Sequence, residues 1–245
     1  MARHGSHGDA WRVWSGDPLI RWVALSLMLT GMLQTLPAGE RVNTVTHAAG
    51  CVLSIVGSGV LMARAVETDE PWRIAGCAIF SAALVAVYAV STLSHAIAQP
   101  QRRRLFRILD QGLIYLLIVA SYTPWSLTYL RTPFWWGFLA VMWSLAIVGT
   151  VSKLVLAHRI DSATVWSYLL LGWLGLIPMA ALLPSLPLAA AGTVFAGGVC
   201  YSAGTIFHRW DNREYHSHGI WHVAVIGGSL CHWYGVLVYI AGSRP

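Results

Sequence analysis

Two histidines, His218 and His222, stand four residues apart at the head of an apolar run that continues to Ile240. On a helix that spacing stacks both imidazoles on one face, one turn from each other. Helical zinc sites are often built this way. A third histidine, His95, follows Ser91 by the same four-residue step near the end of another apolar run. Asp110 opens a third such run. Three neutral imidazoles from His95, His218 and His222 would leave a fourth zinc position for water, as catalytic rather than closed structural sites do. Such a metal lowers the pKa of water toward about 7. Asp110 could then accept or orient the water proton, and Ser91 could hydrogen-bond an oxyanion. Each residue also has a plainer role open to it. Asp110 could pair with Arg107 or cap its helix, and Ser91 could serve helix packing.

The elements that must position these residues are membrane spans. Of the 245 residues, 56% are hydrophobic and only 11% charged, against about 25% charged in ordinary soluble domains. Thirteen Trp and nine Tyr suit a chain with many membrane–water boundaries. The net charge of +6 comes from arginines in short loops between apolar runs, which argues against nucleic acid as a partner. Cys51, Cys77, Cys200 and Cys231 all lie in apolar runs without a CxxC pair, so they read as small buried hydrophobes.

Apolar windows of about 20 residues each can cross a bilayer. They fall at roughly 46–64, 73–97, 107–129, 134–154, 164–183, 188–208 and 218–241, the fifth and sixth divided by Pro184 and Pro187. The expected fold is therefore an all-α membrane protein, a bundle of seven transmembrane helices. The expected organisation is a polar segment 1–16, an N-terminal region 17–45, the seven-helix domain 46–241 and a tail 242–245. The apolar stretch 18–37 carries Arg21 and Gln34 and lacks a cleavage site, so it reads as an additional interfacial helix. With seven spans, Lys and Arg divide twelve against four, placing the N-terminus in the cytoplasm and the C-terminus outside.

This topology collects the polar residues at one depth. Glu40, Asn43 and His47, spaced along one helical face, start span one. Ser91 and His95 end span two, Asp110 starts span three, His208 ends span six, and His218 and His222 start span seven. The first three suit an outer ring of contacts supporting the metal ligands better than direct ligation. His208 is the main rival ligand. His232, roughly 15 Å deeper than His222, reads as a buried polar contact within the bundle.

The motifs Glu40-x-x-Asn43-x-x-Thr46-His47, Ser91-x-x-x-His95, Leu109-Asp110 with Ser121-Tyr122-Thr123-Pro124, and His218-x-x-x-His222 resemble the hemolysin III family. That family is the bacterial branch of the progestin and adipoQ receptor superfamily, which includes the adiponectin receptors. The resemblance covers roughly residues 38–241. It implies seven helices and an intramembrane zinc near the cytoplasmic face, with His95, His218 and His222 as ligands beside Asp110 and Ser91. It further implies a metal-dependent hydrolase of lipid amides such as ceramides, in a bacterial plasma membrane. The stretch 18–37 is longer and more apolar than is usual there, and His208 and His216 add histidines near the site.

The expected function is a zinc-dependent hydrolase acting on an amide or ester of a membrane lipid. A hemolysin-type pore, a non-catalytic sensor with a structural zinc and haem ligation by histidines of different helices are the alternatives. Apolar outer halves of the spans count against a pore. Homo-oligomerisation is left open.

Overall fold

The computed structural model describes residues 39–156, 162–209 and 217–242, together with 35 and 36. Segment 1–16, nearly all of the apolar stretch 18–37, His158 and His216 lie outside the described residues. The described chain is helical: α1 (Arg41–Val66), α2 (Pro71–Ala96), α3 (Pro100–Tyr129), α4 (Pro133–Leu156), α5 (Ser162–Leu174), α6 (Leu176–Leu182), α7 (Leu188–Arg209) and α8 (Ser217–Val236). A π-helical turn at Leu237–Ala241 extends α8. Taken with α5 and α6 as one span and α8 with its extension as another, seven segments among the described residues are long and apolar enough to cross a membrane. Those are the seven expected spans. The first begins at Arg41, ahead of the expected start near 46, so Asn43 and His47 share one continuous helix.

Proline sets several boundaries. Helices α2, α3 and α4 each begin on one, where the missing N–H has no intrahelical partner to lose. Pro184 and Pro187 separate α6 from α7, as their spacing predicts. The break at Gly175 was not expected. Pro178, inside α6, cannot donate a helical bond back to Leu174. Tyr122 of α3 fills the opening, its hydroxyl donating to the Gly172 carbonyl. Any Cβ at Gly175 would overlap the Tyr122 ring.

Burial is arranged as in a membrane bundle. Large apolar side chains such as Phe134, Leu170 and Leu188 face outward, where lipid replaces water. Many interior positions carry small polar residues that return their protons to their own helix. Ser54 donates to the Cys51 carbonyl, Ser121 to Ile118 and Thr123 to Val119. These bonds satisfy hydroxyls that hydrocarbon would leave unpaired. Close helix approach depends on glycine. A Cβ at Gly76 would come within 2.7 Å of the Pro124 backbone, and one at Gly50 within 2.6 Å of the Tyr88 ring.

Deep in the bundle, the Tyr88 and Tyr201 hydroxyls both meet Ser229 Oγ at 2.9 Å. His232 stacks on Tyr201 with ring centroids 5.7 Å apart, and it is buried as expected.

Candidate metal centre

Three helix ends meet at one end of the bundle. His95 sits in the last turn of α2, and His218 and His222 in the first two turns of α8. Their ring centroids lie 4.6 to 5.4 Å apart. One nitrogen from each of the three falls within 4.8 Å of the others. Residues 123 positions apart in the chain are thus brought to a single point, since α1 packs on both α2 and α8.

The hydrogen bonds around this cluster choose which nitrogen is free. Glu40, just before α1, places Oε2 2.8 Å from His95 Nδ1. An ionised carboxylate only accepts, so Nδ1 carries the proton and Nε2 keeps its lone pair. Asn43 Nδ2 donates to the same oxygen at 3.0 Å, and Arg107 donates to Oε1 at 3.0 Å. The His95 bond is the main cause that holds the Glu40 carboxyl at a pKa of about 2. Asn43 and Arg107 add to it, against the opposing effect of burial.

Thr46 does the same for His222. Its Oγ1 lies 2.9 and 3.0 Å from the Val42 and Asn43 carbonyls, which take its proton. The oxygen can then accept the Nδ1–H of His222 across 3.1 Å. His222 is left, like His95, with a free Nε2. Carboxylate or hydroxyl groups fixing the tautomer of ligating histidines are the usual companions of metal sites. The donor set therefore fits a zinc ion: three neutral imidazoles, two with the proton held on the far nitrogen.

Asp110 lies on α3 beside this cluster. Ser91 donates to Asp110 Oδ2 at 3.0 Å, and Ser94 lies 3.3 Å from the same oxygen. Ser94 is nearer the Ser91 carbonyl, at 2.8 Å, and gives its proton there. Arg107, a sequence-level candidate partner for Asp110, bonds Glu40 instead. The Ser91 proton is likewise turned to Asp110 rather than into open space.

Apart from Thr46, these residues line one cavity of about 530 Å³, within the size range of small-molecule sites. A neighbouring, largely apolar cavity of about 400 Å³ lies among α3, α4 and α5. The buried Lys153 borders both.

Of the expected supporting residues, Glu40 bonds His95 directly and Asn43 bonds Glu40. His47 differs: its ring packs edge-on to His222 at 3.7 Å, and neither nitrogen has a hydrogen-bond partner. His208 is exposed, with its ring 5.6 Å from His218, outside the three-histidine group. Thr46 was missed as a site residue. Its own place in the Glu40-x-x-Asn43-x-x-Thr46-His47 motif is the signal for it in the sequence.

The family described as "Haemolysin-III related" matches residues 37–233. "Hemolysin-3" of Bacillus cereus is 35% identical over 201 residues, covering 82% of this chain and 91% of the relative. A "Hemolysin-3 homolog" of Bacillus subtilis is 36% identical over 82% of this chain and 93% of its own length. The human "Monocyte to macrophage differentiation factor" is 26% identical over 82% of this chain and 84% of its own. No solved structure matches the chain.

Proposed function

The chain belongs to the hemolysin III family, within the progestin and adipoQ receptor superfamily, as a multi-pass integral membrane protein, and from that premise we propose that it is a zinc-dependent hydrolase of an amide or ester bond in a membrane lipid. The observation that carries this reading is the convergence of His95, His218 and His222 beside Asp110 in one cavity. A zinc ion held by the three imidazoles would polarise a carbonyl and acidify water.

The residues of the chain divide the remaining work. Glu40 and Thr46 fix the tautomers of His95 and His222. Asp110 takes the proton of the attacking water and returns it to the departing nitrogen or oxygen. Ser91, donating to Oδ2, holds that carboxylate in place. The apolar cavity meeting the site at Lys153 suits an acyl chain. The twelve-to-four division of Lys and Arg favours a cytoplasmic end of the bundle for the site.

The name of the Bacillus relatives favours a second reading, a cytolytic pore. A conducting path needs polar faces along several spans, whereas the polar cavity here gathers at one end of the bundle.

The test is turnover of fluorescent N-acyl amide and acyl ester lipids by zinc-loaded protein in liposomes. Fatty acid release that falls about 10²- to 10⁴-fold in Asp110→Asn, with zinc retained, is the expected result. Zinc-loaded wild type that cleaves neither bond, or conducts ions in a bilayer, would overturn it.

A further inference from the structure

Cleaving an acyl bond is accelerated by a hydrogen-bond donor to the oxygen that gains charge as the carbonyl is attacked, in addition to a polarising metal. Most donors around the cavity are already turned to protein acceptors. Ser91 gives its proton to Asp110, Ser94 to the Ser91 carbonyl, Tyr168 to the Gln111 carbonyl and Thr205 to the Ser202 carbonyl. His47 is the contrast. It is only 4% exposed, borders the same cavity, and has neither ring nitrogen hydrogen-bonded. An imidazole offers one N–H and one lone pair in its neutral form. Burying both without partners is costly unless something enters to meet them.

Its position is specific. His47 lies one helical turn beyond Asn43 on α1, between Tyr88 at 5.5 Å and His222 at 3.7 Å, with His95 at 6.0 Å (ring centroids). A ligand seated on the three-histidine cluster lies beside it. The hydroxyl of Tyr88 is engaged with Ser229, so it does not compete for the His47 ring.

We propose that His47 is a catalytic residue that donates a hydrogen bond to the carbonyl oxygen of the bound lipid, the role that the Ser91 hydroxyl, committed to Asp110, does not fill. This assignment rests on the hydrolase reading for its chemistry, while its geometry stands on the orphaned imidazole. The imidazole enters and leaves the cycle unchanged: the N–H holds the oxygen as negative charge develops and releases it when the carbonyl re-forms. No covalent bond to His47 is made or broken.

The experiment uses full-length wild type, His47→Phe and His47→Asn, purified in detergent and loaded with zinc. Three quantities are read on each preparation: zinc per chain, calorimetric affinity for octanoyl hydroxamate as a carbonyl-bearing probe, and kcat and KM on a fluorescent lipid amide. Unchanged zinc, roughly tenfold weaker hydroxamate binding in His47→Phe, and partial recovery in His47→Asn, whose amide restores a donor, support the assignment. On the lipid, the loss should fall on kcat more than on KM, because the bond strengthens in the transition state. Loss of zinc in His47→Phe would make His47 a metal ligand and overturn it. Equal hydroxamate affinity across all three, or a wild type that holds zinc without binding the probe, would also overturn it. If wild type turns over no lipid while the hydroxamate contrast persists, the hydrolase reading and the catalytic role of His47 fall together, and only its hydrogen bond to a bound carbonyl survives.

Discussion

In the proposed zinc site Glu40 supports the ligands from outside, so replacing it should weaken zinc binding without removing a ligand. Its carboxylate accepts from His95 Nδ1 at 2.8 Å, Asn43 Nδ2 at 3.0 Å and Arg107 at 3.0 Å. In Glu40→Ala the His95 ring loses the group that fixes both its tautomer and its rotation. A hydrogen bond to a charged group contributes about 1.5–3 kcal/mol. At about 1.4 kcal/mol per factor of ten, this predicts zinc affinity lower by roughly 10- to 100-fold, the usual effect of losing such a partner. Glu40→Gln separates the contributions. Its amide oxygen can still accept from His95, but its NH2 then faces the Arg107 guanidinium. Its loss should be smaller, about three- to tenfold. Competition against a chromophoric zinc chelator in detergent gives all three affinities. A Glu40→Ala protein binding zinc within about twofold of wild type would refute the reasoning, since the 2.8 Å bond would then contribute nothing to the site.

Three further outcomes follow from the same contacts. Thr46→Val removes the oxygen 3.1 Å from His222 Nδ1 while keeping the side chain's shape, and should lower zinc affinity by about tenfold in the same chelator titration. Gly50→Val would press against the Tyr88 ring, 2.6 Å from the added Cβ, whose hydroxyl is tied to Ser229; thermal unfolding should show a loss of roughly 1–3 kcal/mol. The Glu40 carboxyl, held at about 2 from the usual 4.5, contributes stability that is fully present above the usual value and lost as pH falls toward about 2. In zinc-free protein, the melting difference between wild type and Glu40→Gln should therefore stay level from about pH 8 to about pH 5 and close below that.

The spans and the His218–His222 pair were legible in the chain because both depend on local rules. Hydropathy marks a helix that must bury its backbone polar groups in lipid. A four-residue step makes His218 and His222 neighbours whatever surrounds them. Contacts between helices were less legible. Arg107 is close in sequence to Asp110, yet it reaches 67 positions back to Glu40 because α1 and α3 both pack on α2. Thr46 bonds His222 across 176 positions, and nothing in its own type separates it from a helix-packing threonine. The sequence sets Ser91 and Asp110 at one depth, but only the packed structure shows that the single Ser91 proton points to Asp110. The break at Gly175 could have been anticipated from Pro178, but not the tyrosine that enters it.

The most direct test of the central claim is metal content, measured by mass spectrometry of purified protein. Wild type should carry one zinc per chain, and His218→Ala/His222→Ala should carry almost none, because it removes two of the three nitrogens grouped within 4.8 Å. Wild type without stoichiometric zinc, or a double variant that keeps it, would contradict the account.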